Sequence, residues 1–214
     1  MTGGASLPIP PRSLNARPLR VSGREPADER VLVLDARNTH ITFTVALGPM
    51  AVRGAFGELR GRLSLSGHDM QRAEITLDVV AGSVDTGFRI RDEHLRGASF
   101  LDVARFPLIS YQGERVRGEA ASLRLDGTLS LRGVEQRVVA SCHFPDVADD
   151  IRDADLPLRV TFEIQRADFG VGVPRGFDVV NPMFLAIGRT VHLRVDVTVP
   201  PIFLTPALLP FLAR

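Results

Sequence analysis

Apolar and polar residues alternate strictly from Leu123 to Leu131, which reads Leu-Arg-Leu-Asp-Gly-Thr-Leu-Ser-Leu, and the same period of two recurs along much of the chain. Successive side chains of a strand point to opposite faces, so this period gives a sheet with one apolar and one wetted face. Ile75, Leu77 and Val79 share one parity, as do Leu158, Val160, Phe162 and Ile164, and then Val191, Leu193, Val195, Val197 and Val199. Thr76 and Asp78, Arg159, Thr161 and Glu163, and His192, Arg194, Asp196 and Thr198 fall on the other. Such alternation belongs to antiparallel sheets solvated on one side. What the apolar side encloses, more protein or a ligand, then decides the function.

The 214 residues fit one large sandwich or barrel with tails. Lys and Arg number 26 against 25 Asp and Glu, and the basic residues are scattered over alternating faces, which argues against a nucleic-acid partner. A lone Cys142 excludes an internal disulfide, and its parity with Val138, Ala140 and Phe144 makes it an inert buried thiol rather than a nucleophile. Residues 1–30 hold Pro8, Pro10, Pro11, Pro18 and Pro26 with no continuous apolar core, and read as a flexible tail rather than a secretory signal. From Val199 to Ala213 no residue is charged, but Pro200, Pro201, Pro206 and Pro210 interrupt the run, and it is shorter than the roughly 20 apolar residues of a membrane span. Two readings stand for it: a tail laid on the body or on a second subunit, and a peripheral membrane contact.

Eight strands are predicted, at Ile41–Leu47, Val52–Leu65, Ala73–Ala81, Leu108–Val116, Ala121–Leu131, Arg137–Phe144, Leu158–Gln165 and Thr190–Val199. Gly67-His68-Asp69 and Gly113-Glu114-Arg115 read as turn clusters, and Gly54, Gly57 and Gly61 as the bending points of a barrel corner. Between Ser83 and Pro107 the pattern changes. Arg91–Arg96 and Ser99–Ala104 favour short helices, Ser99 with Asp102 resembles a capping box, and Phe100 and Phe106 supply an apolar face for a lid or side wall.

The search for chemistry yields little. Asp92, Glu93 and His94 are adjacent, yet consecutive helical residues diverge by about 100°, while Asp92 and Arg96 stand at ion-pairing distance along a helix. His40, His68, His143 and His192 show no ligand spacing, and neither a nucleophile elbow nor a phosphate loop is present. No catalytic residue, metal site or cofactor is therefore predicted. The inward parity carries mainly Leu, Val and Ile, with no Trp and a single Tyr in the chain. An open tunnel so lined would favour a long hydrocarbon by about 0.8 kcal/mol per buried methylene. A filled core fits the alternation equally well, because parity identifies the inner face and says nothing about free volume.

Several spelled-out segments bear on that choice. Ser83-Val84-Asp85-Thr86-Gly87, Arg91-Asp92-Glu93-His94-Leu95-Arg96, Ser99-Phe100-Leu101-Asp102 and Phe106-Pro107 together resemble the signature block of the YceI-like proteins. Gly127–Val134 with Val138, Arg166 with Asp168-Phe169-Gly170, and Asp35, Phe43 and Val45 with Val52–Phe56 extend the resemblance, colinearly, from about Leu34 to Val197. The resemblance implies an all-β, eight-stranded antiparallel lipocalin-like barrel with short helices inserted between strands. It also implies an apolar tunnel holding a polyisoprenoid lipid, such as an isoprenoid quinone or its precursor, and a homodimer. Two departures stand out: Asn38 and Thr39 occupy places where the family often has His and Ser, and Ala46-Leu47-Gly48-Pro49 replaces a second His. Many members carry an export signal; none is read here, so the cytoplasm or the inner face of the membrane is the expected location.

Parity and resemblance together predict a non-catalytic lipid-binding domain over residues 31–199, with an N-terminal tail at 1–30 and an apolar extension at 200–214. Phe43, Val45, Leu63, Leu77, Leu125, Leu129, Phe162, Ile164 and Val195 are the expected tunnel lining, with Phe100 and Phe106 closing one side. Two other classes remain open: an enzyme acting on an apolar isoprenoid with His94 or His40 as base, and a packed-core interaction module working through its C-terminal tail.

Overall fold

The computed structural model describes residues 29–66, 73–118, 123–144, 155–173 and 186–203. The strands are β1 (Glu29–Asp35), β2 (Thr39–Leu47), β3 (Met50–Phe56), β4 (Leu59–Ser66), β5 (Glu74–Val80), β6 (Val84–Asp85), β7 (Leu108–Arg117), β8 (Leu123–Leu131), β9 (Val134–His143), β10 (Leu156–Gln165) and β11 (Ile187–Val199). The helix α1 (Arg89–Arg96) stands between β6 and β7. All strands join one antiparallel sheet in the order β1-β4-β5-β7-β8-β9-β10-β11-β2-β3-β6. It curls far enough that Leu34 of β1 and Val197 of β11 share a core cluster. This is the lipocalin-like barrel that the family resemblance implied, and it satisfies the alternation because a curled sheet buries its apolar parity inside and wets the other.

The strand count differs from eight for identifiable reasons. The span Val52–Leu65 is two strands, because the chain turns at Gly57-Glu58 and β3 and β4 pair with different neighbours. Gly57 marks the corner, whereas Gly54 and Gly61 serve close approach. A Cβ on Gly54 would lie 2.4 Å from the Phe43 ring, and one on Gly61 would lie 2.5 Å from the Thr76 carbonyl oxygen. β1 is an added strand whose turn into β2 is held by Asn38. The Asn38 Oδ1 accepts from the Asp35 amide at 3.0 Å and from the Thr39 hydroxyl at 2.9 Å, and its Nδ2 donates to the Val33 carbonyl at 2.8 Å. β6 is a two-residue strand against β3. Gly113-Glu114-Arg115 is no turn but a bulge within β7: Gly113 faces Gly127 and Arg115 faces Asp126, leaving Glu114 as the extra residue. The cluster at Gly67-His68-Asp69 lies outside the described residues.

The segment between β5 and β7 is also simpler than expected. Ser99–Ala104 forms successive turns and no helix, because Asp102 adopts φ 51°, which a right-handed helix cannot contain; the capping box therefore does not form. The Asp92–Arg96 ion pair does not form either, since each partner is engaged elsewhere. Asp92 is 5% exposed, and its Oδ1 accepts from the amide and hydroxyl of Thr86. Arg96 instead donates to the carbonyls of Gly82 and Val84, both at 2.7 Å. Arg91 adds bonds to the Thr86 hydroxyl at 2.7 Å and carbonyl at 2.9 Å. The charged block thus staples α1 to residues 82–86, and the exposed Arg89–Glu93 pair at 2.8 Å is the ion pair within the helix.

Candidate functional site: a segmented apolar tunnel

Three chambers follow one another through the barrel. The first, about 120 Å³, is enclosed by Phe43, Val45, Val84, Leu95, Phe100, Leu101, Leu131, Ile164 and Val191 among others. A central one of about 110 Å³ is lined by residues including Leu34, Thr39, Ile41, Leu63, Leu77, Tyr111, Leu125, Ala140, Phe162 and Val195. The last, about 60 Å³, reaches Leu65, Ala73, Val116, Leu123, Cys142, Phe144, Val199 and Phe203. Phe56, Ile109, Leu129 and Leu193 belong to both the first and the central chamber, and Leu63, Ile75, Leu125, Leu158 and Val160 to both the central and the last. Shared wall residues place the three side by side along the barrel interior, and Phe43 packs on Phe56 with ring centroids 5.7 Å apart. Their accessible walls are apolar throughout. Apolar cavities of about 150 Å³ stay dry and take up small apolar guests, so these are spaces for hydrocarbon rather than for water.

Each end has a structural cause. At one, the Arg96, Arg91 and Asp92 staples hold the turn segment so that Phe100 and Leu101 cover the barrel, and Arg132 donates to the Phe100 carbonyl from below. Beside it, the guanidinium of the buried Arg166 donates to four carbonyls: Gly188 at 2.8 Å, Val171 at 2.9 Å, Gly172 at 2.7 Å and Ile187 at 3.1 Å. Burial lowers its pKa. At the other end a 3-10 turn, Pro201–Phe203, brings Phe203 into the core at 4% exposure. The start of the apolar C-terminal stretch therefore packs inward; residues 204–214 lie outside the described residues, as do residues 1–28.

Of the residues singled out from sequence, Leu63, Leu77, Leu125, Leu129, Phe162 and Val195 line the central chamber, and Phe43, Val45, Phe100, Leu129 and Ile164 the first. Phe106 lines none of the three. It is half-buried against Gly133, whose Cβ would stand 2.9 Å from its ring, with the Arg105 guanidinium 5.1 Å from the ring centroid. Sequence reasoning missed Leu34, because β1 was not foreseen, and the two polar members of the central wall, Thr39 and Tyr111. Tyr111 shares the parity of Ile109, which was the available signal. His40, His94 and His143 are exposed, and His192 Nδ1 meets Glu163 Oε1 at 2.8 Å on the outer face. Among the described residues no three His, Cys, Asp or Glu side chains converge on a metal position, and no helix is long and apolar enough to cross a membrane.

Electrostatics follow the same division. On the outer face Asp196 is partly desolvated, which alone would raise its pKa, but bonds from Arg194 at 2.5 Å and Arg159 at 2.9 Å hold it below the ordinary 3.8. Inside, burial pushes the Cys142 thiol up to about 11. Burial also raises the Tyr111 phenol well above its ordinary 10, with Cys142, Asp126 and Glu114 adding to the effect.

The family model of the YceI-like domain matches residues 32–199, nearly the whole described barrel. The chain belongs to the YceI-like family. Among its YceI-like relatives, Protein YceI of Salmonella arizonae and of Salmonella enteritidis are each 28% identical over 133 residues, covering 62% of this chain and 70% of theirs. Burkholderia cenocepacia BcnA superposes with a TM-score of 0.64 at 13% identity, over 75% of this chain and 95% of its own. A polyisoprenoid binding domain from Saccharophagus degradans, implicated in plant cell wall breakdown, gives 0.55 at 18% identity, over 80% and 98%. At these identities the structures establish the shared YceI-like fold.

Proposed function

We propose that this protein binds a long-chain polyisoprenoid lipid, an isoprenoid quinone or its precursor, and stores or carries it without chemical change. The observation that carries this reading is the series of three wall-sharing apolar chambers spanning the barrel, whose segmented shape suits a long, kinked and branched chain better than one compact guest. Each buried methylene contributes about 0.8 kcal/mol, so affinity grows with chain length without any charged anchor. Phe43, Val45, Leu63, Leu77, Phe100, Leu125, Leu129, Phe162, Ile164 and Val195 are the contact residues of this proposal. The non-catalytic part rests on the apolar walls, to which no acid–base pair is presented among the described residues. Membership of the YceI-like family and the likeness to a domain described as polyisoprenoid binding support the same ligand class.

Native mass spectrometry of the purified protein, followed by organic extraction, tests the reading. A bound species with isoprenoid mass spacing is the expected result. A protein that is empty and also refuses reconstitution with isoprenoid quinones overturns it. The working context we propose is a cytoplasmic homodimer exchanging lipid at the inner face of a membrane; light scattering, cell fractionation and vesicle flotation report on its three parts.

A further inference from the structure

One end of the barrel carries exposed side chains that the lipid chambers do not use. β2 and β3 meet there in the Leu47–Met50 turn, and β11 begins there with Ile187 opposite Leu47. The chain leaves β6 toward the same end: Val84 and Asp85 pair antiparallel with Phe56 and Ala55, and Thr86 then lies against Gly54. The first chamber is just inside, behind Val45, Val191 and Ile187. Met50, Phe88 and Ile90 stand 66%, 56% and 53% exposed and line none of the three chambers. A single exposed apolar residue is ordinary, but here cations are set among them. The segments 46–53, 86–91 and 186–191 contain Arg53, Arg89, Arg91 and Arg189 and no Asp or Glu. Arg53, Arg89 and Arg189 are exposed, and the Arg91 guanidinium lies 5.8 Å from the centroid of the Phe88 ring. Of the neighbouring acids, Asp85 accepts from the Gly87 amide at 2.7 Å, the buried Asp92 serves Thr86, and Glu93 offsets Arg89 at 2.8 Å, which leaves the outward charge of Arg53 and Arg189.

We propose that this end docks on a bilayer surface bearing anionic headgroups, with Met50, Phe88 and Ile90 entering the interfacial layer and Arg53 and Arg189 meeting the headgroups. This deepens the lipid-carrier reading and rests on it: a carrier draws its guest from a bilayer, and docking here brings the first chamber next to the lipid. Two features favour a lipid surface over a protein partner. The apolar side chains project singly from a strand turn and a helix start instead of forming a flat face. They also alternate with cations, as in Phe88-Arg89-Ile90-Arg91, the mixture that interfacial elements carry. Arginine stems lie along an apolar layer while their heads stay with the phosphates. The uncharged C-terminal stretch 204–213 competes for the same role, so the experiment must separate the two.

Flotation of the full chain with phosphatidylcholine vesicles, plain or containing about one-third phosphatidylglycerol, tests the proposal. The wild type should bind the anionic vesicles, and more weakly as salt rises. Phe88→Ser/Ile90→Ser should bind about 100-fold less tightly, since each side chain withheld from the layer forfeits about a factor of ten. Arg53→Gln/Arg189→Gln should lose about 30-fold on anionic vesicles and nothing on plain ones. None of these four residues lines a chamber, so both variants should hold as much isoprenoid as the wild type while drawing it from vesicles more slowly. Leu208→Ser/Leu209→Ser/Phe211→Ser should leave vesicle binding unchanged. A wild type that stays off both kinds of vesicle, binding that survives Phe88→Ser/Ile90→Ser, or binding lost only in the C-terminal variant overturns the docking surface and leaves the carrier reading standing. Vesicle binding that depends on Phe88 and Ile90, in a protein that takes up no isoprenoid, upholds the contact and overturns the carrier reading.

Discussion

Arg166 shows how one side chain can determine the shape of a tunnel end. Its guanidinium serves two carbonyls of the Val171-Gly172 turn and two at the start of β11. Arg166→Ala leaves these acceptors without that donor and should cost about 3 kcal/mol, lowering the melting temperature by roughly 6–12 °C for a chain of this size. Arg166→Lys should recover only part of this, since an ammonium group cannot fork across both segments; thermal denaturation of the two variants checks the ranking. Cys142 offers a second residue-scale reading. With its thiol pushed from 9.0 up to about 11, the thiolate fraction at pH 8 is roughly 100-fold below that of an ordinary cysteine. Iodoacetamide should therefore label Cys142 slowly in the folded protein, faster as pH approaches 11, and rapidly after unfolding. The linked stability is present below pH 9 and declines as pH rises from 9 to 11, because the unfolded chain ionises first. Since Cys142 lines the last chamber, lipid loading should slow labelling further.

At the scale of elements, the barrel wall is uneven. β8 and β9 pair along nine positions from Leu123–Cys142 to Leu131–Val134, and β10 pairs with β11 along its whole length. β9 and β10, by contrast, are joined at three, Ser141 to His143 against Thr161 to Arg159. Toward Val134 the two strands are not paired; Val138, Ile164 and Phe169 belong to one buried cluster inside, while Val139 stands 56% exposed outside. Amides of β9 that face β10 before Ser141 should exchange with solvent faster than those facing β8, by about an order of magnitude or more, measured by hydrogen exchange with site resolution. Equal protection on the two sides of β9 would contradict this. The partial pairing was not legible from sequence, because alternation within a strand is the same whether its neighbour pairs fully or in part. α1 and the turns after it show the same limit: Arg91 to Arg96 announced a charged helix, but the choice between an Asp92–Arg96 pair and staples to residues 82–86 depended on which backbone groups the sheet brought beneath them.

For the whole molecule, the proposed function depends on passage between the chambers, and Leu129 is one of four residues that line both the first and the central one. Leu129→Trp should obstruct passage between them and reduce co-purified lipid several-fold, at an overpacking cost of about 1–3 kcal/mol that leaves the barrel folded. Lipid content by mass spectrometry, with circular dichroism as the control on folding, decides it; full loading of an intact variant would remove Leu129 from the path. The sequence by itself determined the antiparallel sheet, its inner and outer faces and most of the residues along the inner wall, since a period of two assigns every side chain of a strand to a side. It could not determine how the inner face was filled. Whether Leu125, Leu129 and Phe162 meet their opposite numbers or stand apart is set by the curl of the sheet, by the bend at Gly57 and by Phe100 and Phe203 at the two ends. Those are distances between residues remote in the chain, and only the tertiary structure supplies them. The same holds for Tyr111. Its parity with Ile109 was there to be read, but that its hydroxyl would lie over Gly127 with no partner among the described residues followed from the meeting of two strands, a bulge and a pair of glycines.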